Sequence, residues 1–155
     1  MKGKKVCIGG TFNIFHRGHK KLIDTALELA GRNGEVFIGL SSGKLESQKK
    51  KPVKPFSERK QCIEEYIRDK KFEGHLEIIP IENRFGLTLI EDFDIIVVSP
   101  ETFSTALEIN RKREELGRKP IKIVEVPFVL AEDGKPISSS RIYSGEIDEE
   151  GNILS

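Results

Sequence analysis

Apolar and polar positions change period several times along the chain, and each change marks an element. Val6, Cys7 and Ile8 follow Lys4 and Lys5 as a short apolar run closed by Gly9 and Gly10, which reads as a strand ending in a turn. Leu22, Ile23, Ala26, Leu27 and Ala30 recur at helical spacing, so a helix is predicted to open near Gly18 and to end at Gly31 and Gly34. Residues 35–40 form a second apolar strand pattern, and 41–55 read as a polar loop. Ser57 is the predicted cap of a helix whose stripe is Cys62, Ile63, Tyr66 and Ile67. Residues 76–81 read as a third strand, with Pro80 at a position whose missing N–H faces out of the ladder. Ile95, Ile96, Val97 and Val98 are continuously apolar, as in a strand covered on both faces. Ser99 and Pro100 then predict a helix by N-cap and first-turn proline, ended by Gly117. A fifth strand is expected over 121–129, and a short helix from 137 to Gly145. The last ten residues, 146–155, are acidic and weakly patterned, and are expected to wrap the surface or fray.

Strands alternating with helices predict an α/β fold, a doubly wound Rossmann-like parallel sheet with helices on both faces. In such sheets ligands bind beyond the carboxyl ends of the strands, where strand order reverses. A length of 155 residues is expected to make one domain, 1–155, with 146–155 as its tail. Lys and Arg number 26 against 25 for Asp and Glu, so net charge offers no attraction to nucleic acid or to a membrane. Cys7 and Cys62 lack metal or redox spacing and sit in apolar patterns, as buried thiols of a reducing cytoplasm do. No leader pattern or membrane-length apolar run occurs, so a cytoplasmic location is expected.

The chemistry concentrates in four stretches. In the first, Gly9-Gly10-Thr11-Phe12-Asn13-Ile14-Phe15-His16-Arg17-Gly18-His19, bare backbone meets a helix start whose dipole and free N–H groups favour phosphate. His16 and His19, three apart, project from one side of the first turn; the residues alone also allow a solvated helix start or half a metal site. The second, Ser138-Ser139-Ser140, can cap a helix or offer hydroxyls to phosphate, with Arg141 adjacent. In the third, a helical wheel puts Phe103, Ala106, Leu107, Asn110 and Arg113 on one side. Asn110 and Arg113 there read either as a buried polar pair or as a ligand wall. In the fourth, residues 43–55 hold five lysines and one acid, a solvated loop or an electrostatic lid.

The first stretch resembles the GGTFDxxHxGH signature of the nucleotidyltransferase superfamily, departing from it at Asn13, where Asp is usual. ISSSRI at 137–142 resembles that superfamily's second signature. Members of its archaeal type often carry Arg at the position of Tyr143, and Arg141 is the nearby cation here. VVSPETF with the following ALEINRKREELG resembles a block of the archaeal and eukaryotic pantetheine-phosphate adenylyltransferase family, and KKPVKPFSER a lysine stretch of the bacterial enzymes. The likeness runs from Val6 to about Asn152.

This resemblance implies a strand order 3-2-1-4-5 and adenylyl transfer from ATP to 4′-phosphopantetheine, with Mg²⁺ on the triphosphate and no protein metal site. It assigns catalysis to His19, Thr11 and Lys50, with Lys49 and Lys51 as neighbours able to replace Lys50. Nucleotide binding falls to Gly10, Thr11, Phe12, His16, Gly18, His19, Asn110, Arg113, Ser138, Ser139, Ser140 and Arg141. Acceptor binding falls to Thr11, Lys50 and Ser99. ATP and 4′-phosphopantetheine are the expected partners, with a monomer or small homo-oligomer left open. The competing readings are another adenylyl- or cytidylyltransferase, such as an FMN adenylyltransferase, and a nucleotide sensor without catalysis.

Overall fold

The computed structural model describes residues 3–47 and 52–154. Its elements are β1 (Lys5–Gly10), α1 (Arg17–Ala30), β2 (Glu35–Ser41), α2 (Gly43–Ser47), α3 (Phe56–Lys70), β3 (His75–Ile81), β4 (Ile95–Val98), α4 (Phe103–Glu115), β5 (Lys122–Glu125) and α5 (Ser139–Tyr143). All pairings in the sheet are parallel, in the order β3-β2-β1-β4-β5. The expected order is therefore observed, and β1 and β4 lie side by side where it reverses.

Period-two alternation divides the strands between two apolar layers. Val6, Ile8, Val36, Ile38, Leu40, Ile95 and Val97 pack with Ile23 and Ala26 of α1 and Ile63 of α3. Cys7, Ile96 and Val98 face the other way, with Phe93 and with Ala106 and Ile109 of α4. On that second face the next positions along β1 and β2 are Gly9 and Gly39, which carry no side chain. The layer is thin there, at the carboxyl end of the sheet.

Several boundaries differ from the sequence reading. α3 starts at Phe56 with Pro55 as its cap residue, so Ser57 does not cap it. Residues 41–55 are not all loop: Ser41 extends β2, and Gly43–Ser47 is a helical turn. Ser99 and Pro100 precede α4 rather than start it, because Ser99 N–H donates to Thr102 Oγ1 and its carbonyl accepts from Thr102 N–H, closing a turn first. Leu107 is 52% exposed, and Ile109 takes the buried position on α4 instead. β5 covers Lys122–Glu125; after Val126 N–H donates to Val98, Pro127 has no N–H to continue the ladder. The C-terminal segment wraps the body: Ile147 is fully buried with Ala131 and Ile137, and Glu149 C=O accepts from Arg17 N–H.

Candidate active site

A cavity of about 700 Å³ opens over the bare glycines. Its polar end is formed by Gly10, Thr11, Phe12, Asn13, His16, Gly18 and His19 from the β1–α1 turn, and by Ser138, Ser139 and Ser140. Its other arm is apolar, lined by Cys7, Phe37, Ile79, Ile81, Phe85, Leu87 and Phe93, with Ser99 and Thr102 from the turn before α4. Arg84 and Glu101 are the only charged residues among those described that line it.

The β1–α1 turn is held by many small constraints. Phe12 has φ +48° although it is not glycine, a conformation that costs about 1–2 kcal/mol. Burial of its ring, 3% exposed and 4.9 Å from His19, helps to offset that. Thr11 Oγ1 lies 3.1 Å from Ser41 Oγ, so the turn is tied to the end of β2. Arg59, fully buried, donates from Nη1 to Thr11 C=O and Ser41 C=O and from Nε to Lys54 C=O. Sequence reasoning passed over Arg59. The signal was its place in the SER triplet opening α3, four residues before Ile63 and so in line with the buried stripe of Ile63 and Ile67.

At the start of α1, His16 is the cap, with Nδ1 accepting from Gly18 N–H at 3.0 Å. His16 N–H in turn donates to His19 Nδ1 at 3.3 Å. Both backbone donors require a bare Nδ1, so the neutral rings carry their proton on Nε2. Burial pushes His16 down to about 4, and burial together with the neighbouring His16 holds His19 well below the usual imidazole range. His19 thus presents a neutral N–H donor. Gly18 is glycine because of His16: a Cβ there would meet Cε1 of that ring at 2.8 Å. The helix start is less open to an anion than expected, since Arg17 N–H is taken by Glu149 C=O and Gly18 N–H by His16.

The three serines divide their tasks. Ser138 Oγ caps α5 by accepting from Arg141 N–H, and Ser139 Oγ bridges N–H and C=O of Ile14. Ser140 lines the cavity without a hydrogen bond of its hydroxyl to another described residue.

Three expected residues do not line this cavity. Asn110 pairs both sides of its amide with Ile121 backbone, and Arg113, 1% exposed, donates to the carbonyls of Thr88, Glu91 and Lys119 and to Asp92. α4 returns antiparallel to the strands, so only its first turns stand at the carboxyl end; Asn110 is seven residues in, about 10 Å along the axis. Arg141 points away, held by Asp133, Glu146 and Pro136 C=O. Lys50, with Lys49 and Lys51, lies outside the described residues.

No three His, Cys, Asp or Glu side chains converge on a metal-sized point among the described residues. No helix among them is long and apolar enough to cross a membrane.

The cytidylyltransferase-like family model matches residues 7–144. A phosphopantetheine adenylyltransferase of Archaeoglobus fulgidus is 49% identical over 97% of this chain and 99% of its own. One from Methanosarcina acetivorans is 47% identical over 96% and 95%. The crystal structure of a protein of unknown function from Archaeoglobus fulgidus superposes with a TM-score of 0.71 at 46% identity, covering 79% of this chain and 88% of that one.

Proposed function

The chain belongs to the cytidylyltransferase-like family, and from that premise we propose that it transfers the adenylyl group of ATP to 4′-phosphopantetheine, giving dephospho-coenzyme A and pyrophosphate. The observation that carries this is the two-part cavity. A hydroxyl- and imidazole-lined end suits the reacting phosphates, and it continues without a break into an apolar arm that suits a long, thin acceptor. Gly9 supports the same reading. It is exposed although it lies in the central part of the sheet, and a Cβ there would find only ordinary contacts, at 3.7 and 3.9 Å. Neither conformation nor packing demands glycine at 9, whereas a ligand lying against the strand does.

The acceptor's phosphate oxygen attacks the α-phosphorus of ATP in line, the new P–O bond forming as the bond to pyrophosphate breaks. A phosphate monoester is already anionic and nucleophilic at neutral pH, so the protein's part is positioning and charge stabilisation. His19 Nε2–H donates to the α-phosphate as charge accumulates there. Thr11 holds the two phosphates in register through its hydroxyl and backbone N–H. Ser140 serves the β- and γ-phosphates directly, while Ser138 and Ser139 hold the segment that presents it. Gly10, Phe12, His16 and Gly18 shape the nucleotide side, and Ser99 borders the acceptor. Lys50 supplies the cation shared by both substrates, on the strength of its sequence context. Nucleotidyl transfer from ATP uses a divalent ion, here Mg²⁺, which neutralises phosphate charge. With Glu101 the one carboxylate among the described residues that border the cavity, that ion would be carried by the triphosphate oxygens.

The test is a panel of phosphate acceptors against ATP and CTP, scored for pyrophosphate. Release with ATP and 4′-phosphopantetheine, and not with FMN or with CTP, is the expected result. Preference for another pair would replace the acceptor assignment, and release with none would leave nucleotide binding alone.

A further inference from the structure

We propose that Asn13 is a positioning residue whose side-chain amide clasps the backbone of Pro52 and Lys54 to the catalytic turn, and that the amide, not a carboxylate, is what this clasp requires. Asn13 Nδ2 donates to Pro52 C=O at 2.9 Å, and Asn13 Oδ1 accepts from Lys54 N–H at 2.8 Å. Lys54 N–H can only donate and Pro52 C=O can only accept. The group between them must therefore do both at once, which Asn does and an ionised Asp does not. The superfamily signature has Asp here, so the clasp belongs to this chain's own departure from it.

What the clasp holds is part of the site. Val53, between its two jaws, lines the cavity. From the other side, Lys54 C=O accepts from Arg59 Nε at 2.7 Å, and Arg59 Nη1 reaches Thr11 C=O at 3.1 Å. A closed path runs from Thr11 through Phe12 to Asn13, across to Lys54, into Arg59 and back to Thr11. Phe12, at φ +48°, sits inside that ring. Opening it at Asn13 frees the 52–54 strap and one flank of the left-handed turn that sets Thr11. The inference rests on the transferase reading above for its kinetic consequence, and on geometry alone for the clasp.

Two variants and two readouts test it. Asn13→Ala removes both jaws, and Asn13→Asp keeps the acceptor for Lys54 N–H while losing the donor to Pro52. Amide exchange at Lys54, followed by NMR without ligands, is expected to stay slow in the parent and in Asn13→Asp and to quicken in Asn13→Ala. In pyrophosphate release, each variant should lose about three- to tenfold in kcat/KM for 4′-phosphopantetheine per jaw, the scale of one net hydrogen bond. KM for the acceptor should rise more than kcat falls, a split that general loosening does not produce. Unchanged Lys54 exchange in Asn13→Ala overturns the clasp. Parent kinetics in Asn13→Asp overturn the need for an amide. If the parent itself makes no pyrophosphate, the transferase reading and the kinetic role fall together, and the exchange result alone decides the clasp.

Discussion

His16 and His19 are locked to each other twice: their rings stack with centroids 3.7 Å apart, and His16 N–H donates to Nδ1 of His19 at 3.3 Å. The second contact fixes the proton of His19 on Nε2, the donor nitrogen of the mechanism proposed above. His19→Ala is expected to lower kcat by roughly 10²–10³, the scale of losing one preorganised donor, with ATP affinity little changed. His19→Gln, which retains an N–H donor the same number of bonds from Cα but on a more flexible stem, should recover part of it. Single-turnover rates measure both, and near-parental turnover in His19→Ala would remove it from the mechanism.

The same pair makes folding sensitive to acid. An unfolded imidazole takes up a proton near pH 6.5, whereas folded His16 does so only at about 4. Between those values the unfolded state binds more protons, so stability rises with pH and is lost as pH falls through that window. The shift corresponds to roughly 3 kcal/mol over the whole window for His16, and His19 acts in the same direction. Urea midpoints at pH 7.5, 6 and 5 should decline steadily. His16→Asn, which keeps a capping acceptor without a titrating ring, should flatten that slope.

Two glycines of the signature should fail in opposite ways. Gly18→Ala drives a methyl to 2.8 Å from the His16 ring, so it should lower both stability, by about 1–3 kcal/mol, and kcat. Gly9→Ala meets only ordinary contacts and should leave the urea midpoint unchanged while raising KM for the acceptor. Equal stability losses in both variants would contradict the assignment of Gly9 to ligand space.

The sequence was most readable where chemistry and local structure coincide. The strand, the glycine turn and the two histidines could be placed because each residue type serves its own neighbours. The strand order came through the family likeness; periodicity alone carries no information about which strands pair. Asn110 and Arg113 show the limit. A helical wheel names the face of α4 but not the height along it, and height decided that they sit at the far end of the sheet. Arg141 failed for a different reason: Asp133 and Glu146 take its charge, and no spacing rule names that pair. Asn13 was visible only as a departure from a signature, since its partners at 52 and 54 are 39 and 41 residues away.

Arg113 should therefore behave as a structural residue. Removing a buried guanidinium that serves three carbonyls and Asp92 leaves those groups unpaired, so Arg113→Ala should destabilise by about 3–5 kcal/mol. Whatever protein remains folded, measured at low temperature, should bind ATP with parental affinity. Specific loss of ATP binding at full stability would return Arg113 to the site.

The three serines offer the sharpest separation of structure from binding, because one short segment places them in three different circumstances. Ser138→Ala removes a helix cap and should cost about 0.5–2 kcal/mol in stability. Ser139→Ala breaks the bridge to Ile14, which ties this segment to the β1–α1 turn across 125 residues of chain. It should lower stability less, since both contacts are long, at 3.4 and 3.3 Å, but it should disturb ATP binding through the turn. Ser140→Ala loses no hydrogen bond to a described residue, so its unfolding midpoint should match the parent's. If its hydroxyl meets the β- or γ-phosphate, KM for ATP rises about three- to tenfold, the scale of one hydrogen bond to a charged group partly replaced by water. Titration with pyrophosphate and with AMP locates the effect, because a β,γ contact weakens the first and spares the second. Weakened AMP binding with pyrophosphate unchanged would move Ser140 to the nucleoside side of the cavity.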